Sequence, residues 1–276
     1  MPGNLKDQKI VLITGAGRGI GKRLAMGFAE AGLRVGLLAR SKAELDLAKL
    51  EIEQAGGEAL RLPADVREPD QLAVAVTLMR QKFGAPGILV AAAGVQGPIG
   101  PFLASKPKAW AEAVETNLMG AANACRAVLP GMIERRSGKI IVIVSDGAAL
   151  SRPNFSAYAA SKAALVRFAE CLADEVRDQN VQVNCMIPGD TYTHMTDQIL
   201  SVGEERAGIR EYDEARQVRI TGGLAPEKQI QLALFLASER SNHISGKLLH
   251  VADDWKRLEK DNMKPGLYTL RRLQRI

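Results

Sequence analysis

Ile10-Val-Leu-Ile-Thr14-Gly-Ala-Gly-Arg-Gly-Ile-Gly21 decides the fold. A short apolar run enters a glycine-rich turn, and a helical pattern begins at Ile20. The run reads as a strand buried on both faces. Glycines at 15, 17, 19 and 21 let the backbone approach a diphosphate and let the helix pack on the sheet. The helix N-terminus supplies free N–H groups and a partial positive charge. A tight turn alone uses the same residues, but the strand–turn–helix context makes this a phosphate seat.

The same alternation continues outward. Strands are expected at 9–13, 34–39, 58–62, 87–91, 139–144, 181–187 and 247–251. Helical patterns lie between them at 20–31, 42–55, 69–83, 108–135, 156–178 and 227–237, with Pro107 and Pro130 expected to bound or break the fourth. Strand–helix alternation implies right-handed crossovers: an α/β, Rossmann-type doubly wound parallel sheet of about seven strands. No linker divides the chain, so residues 1–252 read as one domain. Residues 189–223 form a long polar interruption, and 253–276 form a C-terminal extension.

The composition is ordinary for a globular protein, at 46% hydrophobic and 25% charged. No apolar run is long enough to span a membrane, and the first residues lack a signal-peptide core, so a cytoplasmic location is expected. Cys125, Cys171 and Cys185 read as small core residues in a reducing compartment. His194, His243 and His250 have no metal-like spacing, so no metal is expected. The net charge is +6, and from Asp253 onward seven Lys/Arg face four Asp/Glu. With few aromatics for base stacking, nucleic-acid binding is not expected. A basic surface that attracts a phosphorylated cofactor explains the charge better.

Two further stretches carry chemistry. Ser145 ends an apolar strand run, and Tyr158-Ala-Ala-Ser-Lys162 opens a helix. Residues four apart share a helix face, so Tyr158 and Lys162 are neighbours. A free phenol has a pKa of about 10 and is barely ionised near pH 7. An adjacent ammonium favours the phenolate and suits the pair to general acid/base work. Near the second strand's end stands Arg40, where a carboxylate for ribose hydroxyls would sit in an NAD site. Arg40, with Arg18 as a second contact, instead suits a 2′-phosphate, which favours NADP(H) while leaving NAD(H) possible. Asp65 stands where it can meet an adenine amino group.

These motifs resemble the short-chain dehydrogenase/reductases, in their single-domain branch, over residues 8–252. The resemblance rests on Thr14-Gly-x-x-x-Gly19-x-Gly21, Asp65-Val66, a helical Asn117, Ser145, Tyr158-x-x-x-Lys162, Pro188-Gly189 with Thr193, and Ile244-Ser245-Gly246. It implies an NAD(P)-dependent enzyme acting on CH–OH/C=O groups, with Asn117, Ser145, Tyr158 and Lys162 as its catalytic set. Cofactor contacts are implied at Gly15, Gly17, Arg18, Gly19, Ile20, Gly21, Arg40, Asp65, Val66, Ala93, Gly94, Tyr158, Lys162, Ile187, Pro188, Gly189 and Thr193. Asn117 is implied to link Lys162 to solvent through water. Residues 189–223 correspond to the substrate lid, and a homotetramer or dimer is implied. The branches with other glycine or Tyr–Lys spacings, dehydratase/epimerase and enoyl reductase, match less well.

The sequence departs from the family at Ala91-Ala92-Ala93-Gly94, where Asn-Asn-Ala-Gly is usual, and at Asp146 after Ser145. Cofactor binding is expected to survive the first change. Candidate substrate-wall residues are Gln96, Asp146, Leu150, Arg152, Asn154, Phe155, Asp190, Tyr192, His194 and Met195. They favour a polar ketone, sugar-like alcohol or oxoacyl compound over a steroid. The tail is expected to cover the pocket mouth, dock on a neighbouring subunit or fray. The rival reading is a catalytically idle NADP(H)-binding sensor or scaffold, which would have no need of Tyr158.

Overall fold

The structure, a computed structural model, describes residues 10–259 and 266–270. Seven parallel strands form one sheet: β1 (Ile10–Thr14), β2 (Arg34–Ala39), β3 (Glu58–Pro63), β4 (Ile88–Ala91), β5 (Gly138–Ile143), β6 (Val181–Ile187) and β7 (Leu248–His250). Their order is β3-β2-β1-β4-β5-β6-β7. The connections reverse direction between β1 and β4. A crevice opens there at the strands' carboxyl ends, the usual ligand position in such sheets.

Helices cover both faces. On one lie α1 (Gly19–Glu30), α2 (Lys42–Gln54) and α10 (Pro226–Ala237); on the other lie α3 (Pro69–Lys82), α5 (Gly120–Glu134) and α6 (Ser156–Glu175). Successive residues of the central strands feed opposite cores. Val11 and Ile13 join the first set of helices, while Leu12 joins the second. Ile140 and Val142 on β5 pack against the second set, and Ile141 and Ile143 against the first. This is why the strands read as unbroken apolar runs.

The helical pattern at 108–135 resolves into α4 (Pro107–Val114), one π-helical turn at Glu115–Met119, and α5. Pro107 bounds α4 as its first residue, where its missing N–H is no loss. Pro130 lies inside α5 without ending it, contrary to the expected break. The interruption instead falls at the π turn, which carries Asn117. A second correction concerns the cysteines. Cys125 and Cys185 are buried, and burial pushes the Cys125 thiol up to about 12, but Cys171 is exposed on α6.

Residues 189–223 are mostly helical rather than irregular: α7 (His194–Val202), α8 (Glu204–Ala207) and α9 (Ile209–Thr221). Their base is closed by a bridge between Thr191 and Gly223 and by Leu224 N–H donating to Asp190 C=O at 2.7 Å. Their apolar side forms a third cluster, in which Ile199, Ala207 and Ala215 meet Ile99, Phe155 and Tyr158.

Candidate active site

A cleft of about 690 Å³ runs across the carboxyl ends of the strands, from the β1–α1 turn to α7 and α9. Steric fit explains the turn's glycines. A Cβ on Gly21 would lie 2.3 Å from Gly15 O, and one on Gly15 would lie 2.8 Å from Ala93 Cα. Gly19 has φ +56°, a conformation that favours glycine. Across the cleft, Thr193 caps α7, its Oγ1 accepting from Met195 N–H at 3.3 Å. Its methyl lies 3.5 Å from where a Gly19 Cβ would stand. α7 therefore begins opposite the turn. The cradle of small residues and free N–H groups fits a dinucleotide's diphosphate.

Gly15, Gly17, Arg18, Gly19, Ile20, Gly21, Arg40, Asp65, Val66, Ala93, Gly94, Ser145, Tyr158, Lys162, Ile187, Pro188, Gly189 and Thr193 all line this cleft. Tyr158 is 8% exposed, and Lys162 Nζ lies 5.6 Å from its ring centre. Lys162 is itself buried and donates to Ile143 C=O at 2.9 Å. Ser145 follows β5 by two residues and is itself extended. Its Oγ is buried and has no hydrogen-bond partner among the described residues.

Asn117 does not line the cleft, although it was expected in the catalytic set. It is fully buried behind it. Its Oδ1 accepts from Val95 N–H at 2.8 Å, and its Nδ2 donates to Val95 C=O and to Ser161 Oγ. The side chain thus ties the loop after β4 to α6. Thr14 Oγ1 does similar work at the loop's start, accepting from both Ala92 and Ala93 N–H at 3.1 Å. These two residues brace the segment whose amide side chains are replaced by Ala91 and Ala92.

Among the substrate-wall candidates, Gln96, Asp146, Leu150, Arg152, Asp190, His194 and Met195 line the cleft, whereas Asn154, Phe155 and Tyr192 do not. Phe155 is fully buried beneath Arg152, whose guanidinium lies 4.1 Å from its ring centre. Asn154 donates to Ala207 C=O at 3.4 Å, and Tyr192 turns outward to donate to Asp197. Arg152 also stands 5.5 Å from the Tyr158 ring and is paired with Glu211 of α9 at 2.7 Å. This pair joins α9 to the loop after β5. Burial, then the neighbouring Glu211 carboxylate, raises the Glu214 carboxyl above its ordinary range.

At the other end, each arginine has an acidic neighbour. Arg18 pairs with Glu44 at 3.2 Å, and Arg40 stands 3.9 Å from Asp65. Asp65 also accepts from the Arg67 guanidinium at 2.6 Å and from Arg67 N–H at 3.0 Å. Hydrogen bonding from Arg67 holds its carboxyl below the usual range. Sequence reasoning missed Glu44, Glu211 and the bracing role of Thr14. Only Thr14 carried a signal, as the first residue of the glycine motif. Among the described residues no cluster has the composition of a metal site, and no helix is long and apolar enough to cross a membrane.

Comparison with known proteins agrees with this geometry. The family model described as short chain dehydrogenase matches residues 9–202. The chain is 31% identical to the 3-oxoacyl-(acyl-carrier-protein) reductase of Thermotoga maritima, over 89% of this chain and 96% of that one. It is 30% identical to the 2,3-dihydro-2,3-dihydroxybenzoate dehydrogenase of Bacillus subtilis, over 87% and 92%. A gluconate 5-dehydrogenase from Burkholderia cenocepacia, solved with NADP and tartrate, superposes with a TM-score of 0.77 at 30% identity, covering 88% of this chain and 93% of that one. With the doubly wound sheet and the glycine cradle, these matches make the chain a member of the short-chain dehydrogenase/reductase family, an NAD(P)-dependent oxidoreductase.

Proposed function

We propose that the protein interconverts a carbonyl compound and its secondary alcohol with NADP(H), using Tyr158 as general acid/base. One observation carries this reading: Ser145, Tyr158 and Lys162 line the same cleft as the glycine turn, with Ser145 Oγ lacking a partner among the described residues. When bound, the nicotinamide supplies or accepts the hydride. Gly15, Gly17, Gly19, Ile20 and Gly21 hold the diphosphate, Arg18 and Arg40 the 2′-phosphate, and Asp65 and Val66 the adenine. Ala93 and Gly94 flank the middle of the cleft. Ile187, Pro188, Gly189 and Thr193 hold the nicotinamide end.

In reduction, Tyr158 gives its phenolic proton to the carbonyl oxygen; in oxidation it takes the alcohol proton. Ser145 donates a hydrogen bond to the same oxygen and fixes its position. Lys162, which lines the same cleft, holds the ribose. Asn117 acts as a positioning residue, since its amide is committed to Val95 and Ser161. The mix of Asp146, Arg152, Asp190 and His194 along the wall suits a polar substrate. Arg40 supports NADP(H) because it is exposed and no carboxylate stands in its place on the chain. The solved gluconate 5-dehydrogenase, with its bound NADP, is consistent with that choice.

The test is oxidation of NADPH and NADH across ketones, aldehydes and oxoacyl compounds. NADPH turnover that falls by about 10²- to 10⁴-fold in Tyr158→Phe is expected. Tight NADPH binding with no turnover on any carbonyl compound would overturn the reading.

A further inference from the structure

Gln96 sits in the loop after β4, and that loop runs along α6. A Cβ on Gly94 would lie 3.6 Å from Lys162 Nζ, and one on Gly97 would lie 3.6 Å from Ala157 Cβ. Residues 94–97 therefore pass from Lys162 to the neighbour of Tyr158. Asn117 clamps Val95 through both its N–H and its C=O, so the backbone leading into Gln96 has little freedom. Gln96 is 2% exposed and is one of the residues that line the cleft.

Its Nε2 has no hydrogen-bond partner among the described residues. Buried donors in native proteins nearly always have one, because leaving a desolvated group unpaired is costly. Three buried side-chain atoms among the described residues share this condition: Gln96 Nε2, Ser145 Oγ and Gln179 Oε1. The first two belong to residues of the cleft, and Gln179 does not. Ser145 already has a use in the proposed reaction, as donor to the reacting oxygen. Gln96 is left with a buried donor in the cleft's lining and nothing among the described residues to receive it.

Resting on that reaction, we infer that Gln96 binds substrate by donating to a second oxygen within a carbon or two of the reacting one. The substrate class is then an oxygenated ketone, such as a hydroxyketone or dione, and its product is a diol or hydroxyketone. An N–H donor selects an acceptor, so an isolated ketone would leave Gln96 unsatisfied and bind more weakly.

Non-reacting probes separate this from the reaction itself. Cyclohexanol, cis-cyclohexane-1,2-diol and cis-cyclohexane-1,3-diol are titrated calorimetrically into the NADPH-loaded protein. One of the diols is expected to bind at least about ten-fold tighter than the mono-alcohol. Gln96→Leu, which removes the donor, is expected to collapse that ratio. Gln96→Met, which keeps the length but carries no donor, is expected to do the same. NADPH titration of each variant checks that it has folded. A ratio retained in both variants, equal binding of all three probes by the wild type, or no binding of either diol overturns the inference. Carbonyl turnover with Tyr158→Phe as control reports on the reaction separately. Turnover without a diol preference defeats the Gln96 role alone. A Gln96-dependent preference without turnover upholds that role and defeats the reductase reading.

Discussion

Glu44 is the residue that most complicates the end of the cleft proposed to take a 2′-phosphate. It lines the cleft beside Arg40 and Ser41 and draws the Arg18 guanidinium to 3.2 Å. A phosphate there gains two cations and meets the Glu44 carboxylate as well. Both side chains of the Arg18–Glu44 pair are partly solvated, at 58% and 35% exposed, so the pair itself is worth little. Glu44→Gln is accordingly expected to tighten NADPH by about two- to five-fold and leave NADH nearly as before, whereas Arg40→Ala weakens NADPH by about ten-fold. Fluorescence titration of both cofactors reads this directly. An equal change for the two would show that neither residue meets the phosphate. That Tyr158, Lys162 and Ser145 share a cleft was legible because Tyr158 and Lys162 are local to one helix turn and Ser145 ends an apolar run. Glu44 was not, since it belongs to α2 and reaches Arg18 only through the fold. The same is true of Glu211, which lies 59 residues from Arg152.

Among the elements, β5 carries an unusual burden. Its Lys139 is 1% exposed, with Nζ donating to Ser241 Oγ at 3.1 Å. Burial lowers its pKa to about 7, against an opposing pull from Glu239. An unfolded lysine titrates near 10.4. Between pH 7 and 10 the unfolded chain therefore holds a proton that the folded chain has released, and stability rises with pH through that window. Below pH 7 both states are protonated and the full cost of burying the ammonium remains. Lys139→Met is expected to raise the melting temperature most at pH 6, by an amount worth on the order of a few kcal/mol, with the gain shrinking by pH 9. Paired melts at four pH values test this, and a gain independent of pH would sink it. At this scale the strands were legible to within a residue or two, because continuous Val/Ile/Leu runs mark strands buried on both faces. The π turn was not. Pro130 was the visible breaker, yet α5 absorbs it, while the turn at Glu115–Met119 has no sequence signature of its own. The helical build of residues 189–223 was not legible, because the polar face of this segment dominates. Its few apolar residues, Ile199, Ala207 and Ala215, suffice to seat it on Phe155 and Tyr158.

For the whole molecule, the open question was where the C-terminal extension goes. Three destinations were expected: the pocket mouth, a neighbouring subunit or solvent. Much of the extension, residues 260–265 and 271–276, lies outside the described residues. Beyond 253–259, which are described as well, residues 266–270 run along the edge of their own sheet. Leu248 N–H on β7 donates to Tyr268 C=O at 2.7 Å, and Lys247 Nζ donates to Leu267 C=O at 2.9 Å. Leu270 is held from α6 on both sides of its peptide unit, its N–H by Glu170 and its C=O by Arg167. Tyr268 packs against one core face and Leu270 against the other, so the segment closes the sheet's end like a clasp. None of 266–270 lines the cleft. An uncovered β7 would present unpaired N–H and C=O groups, a template for pairing with other chains. Truncation before Gly266 removes these hydrogen bonds, each worth about 1 kcal/mol net, together with two apolar anchors. A fall in melting temperature of about 5–10 °C follows for a domain of this size, with larger species in sedimentation velocity. The KM for NADPH, measured on the fraction that remains folded, is expected to stay within about two-fold, because the segment is remote from the cofactor seat. A raised KM with an unchanged melting temperature would instead place the tail at the cleft mouth and refute the clasp.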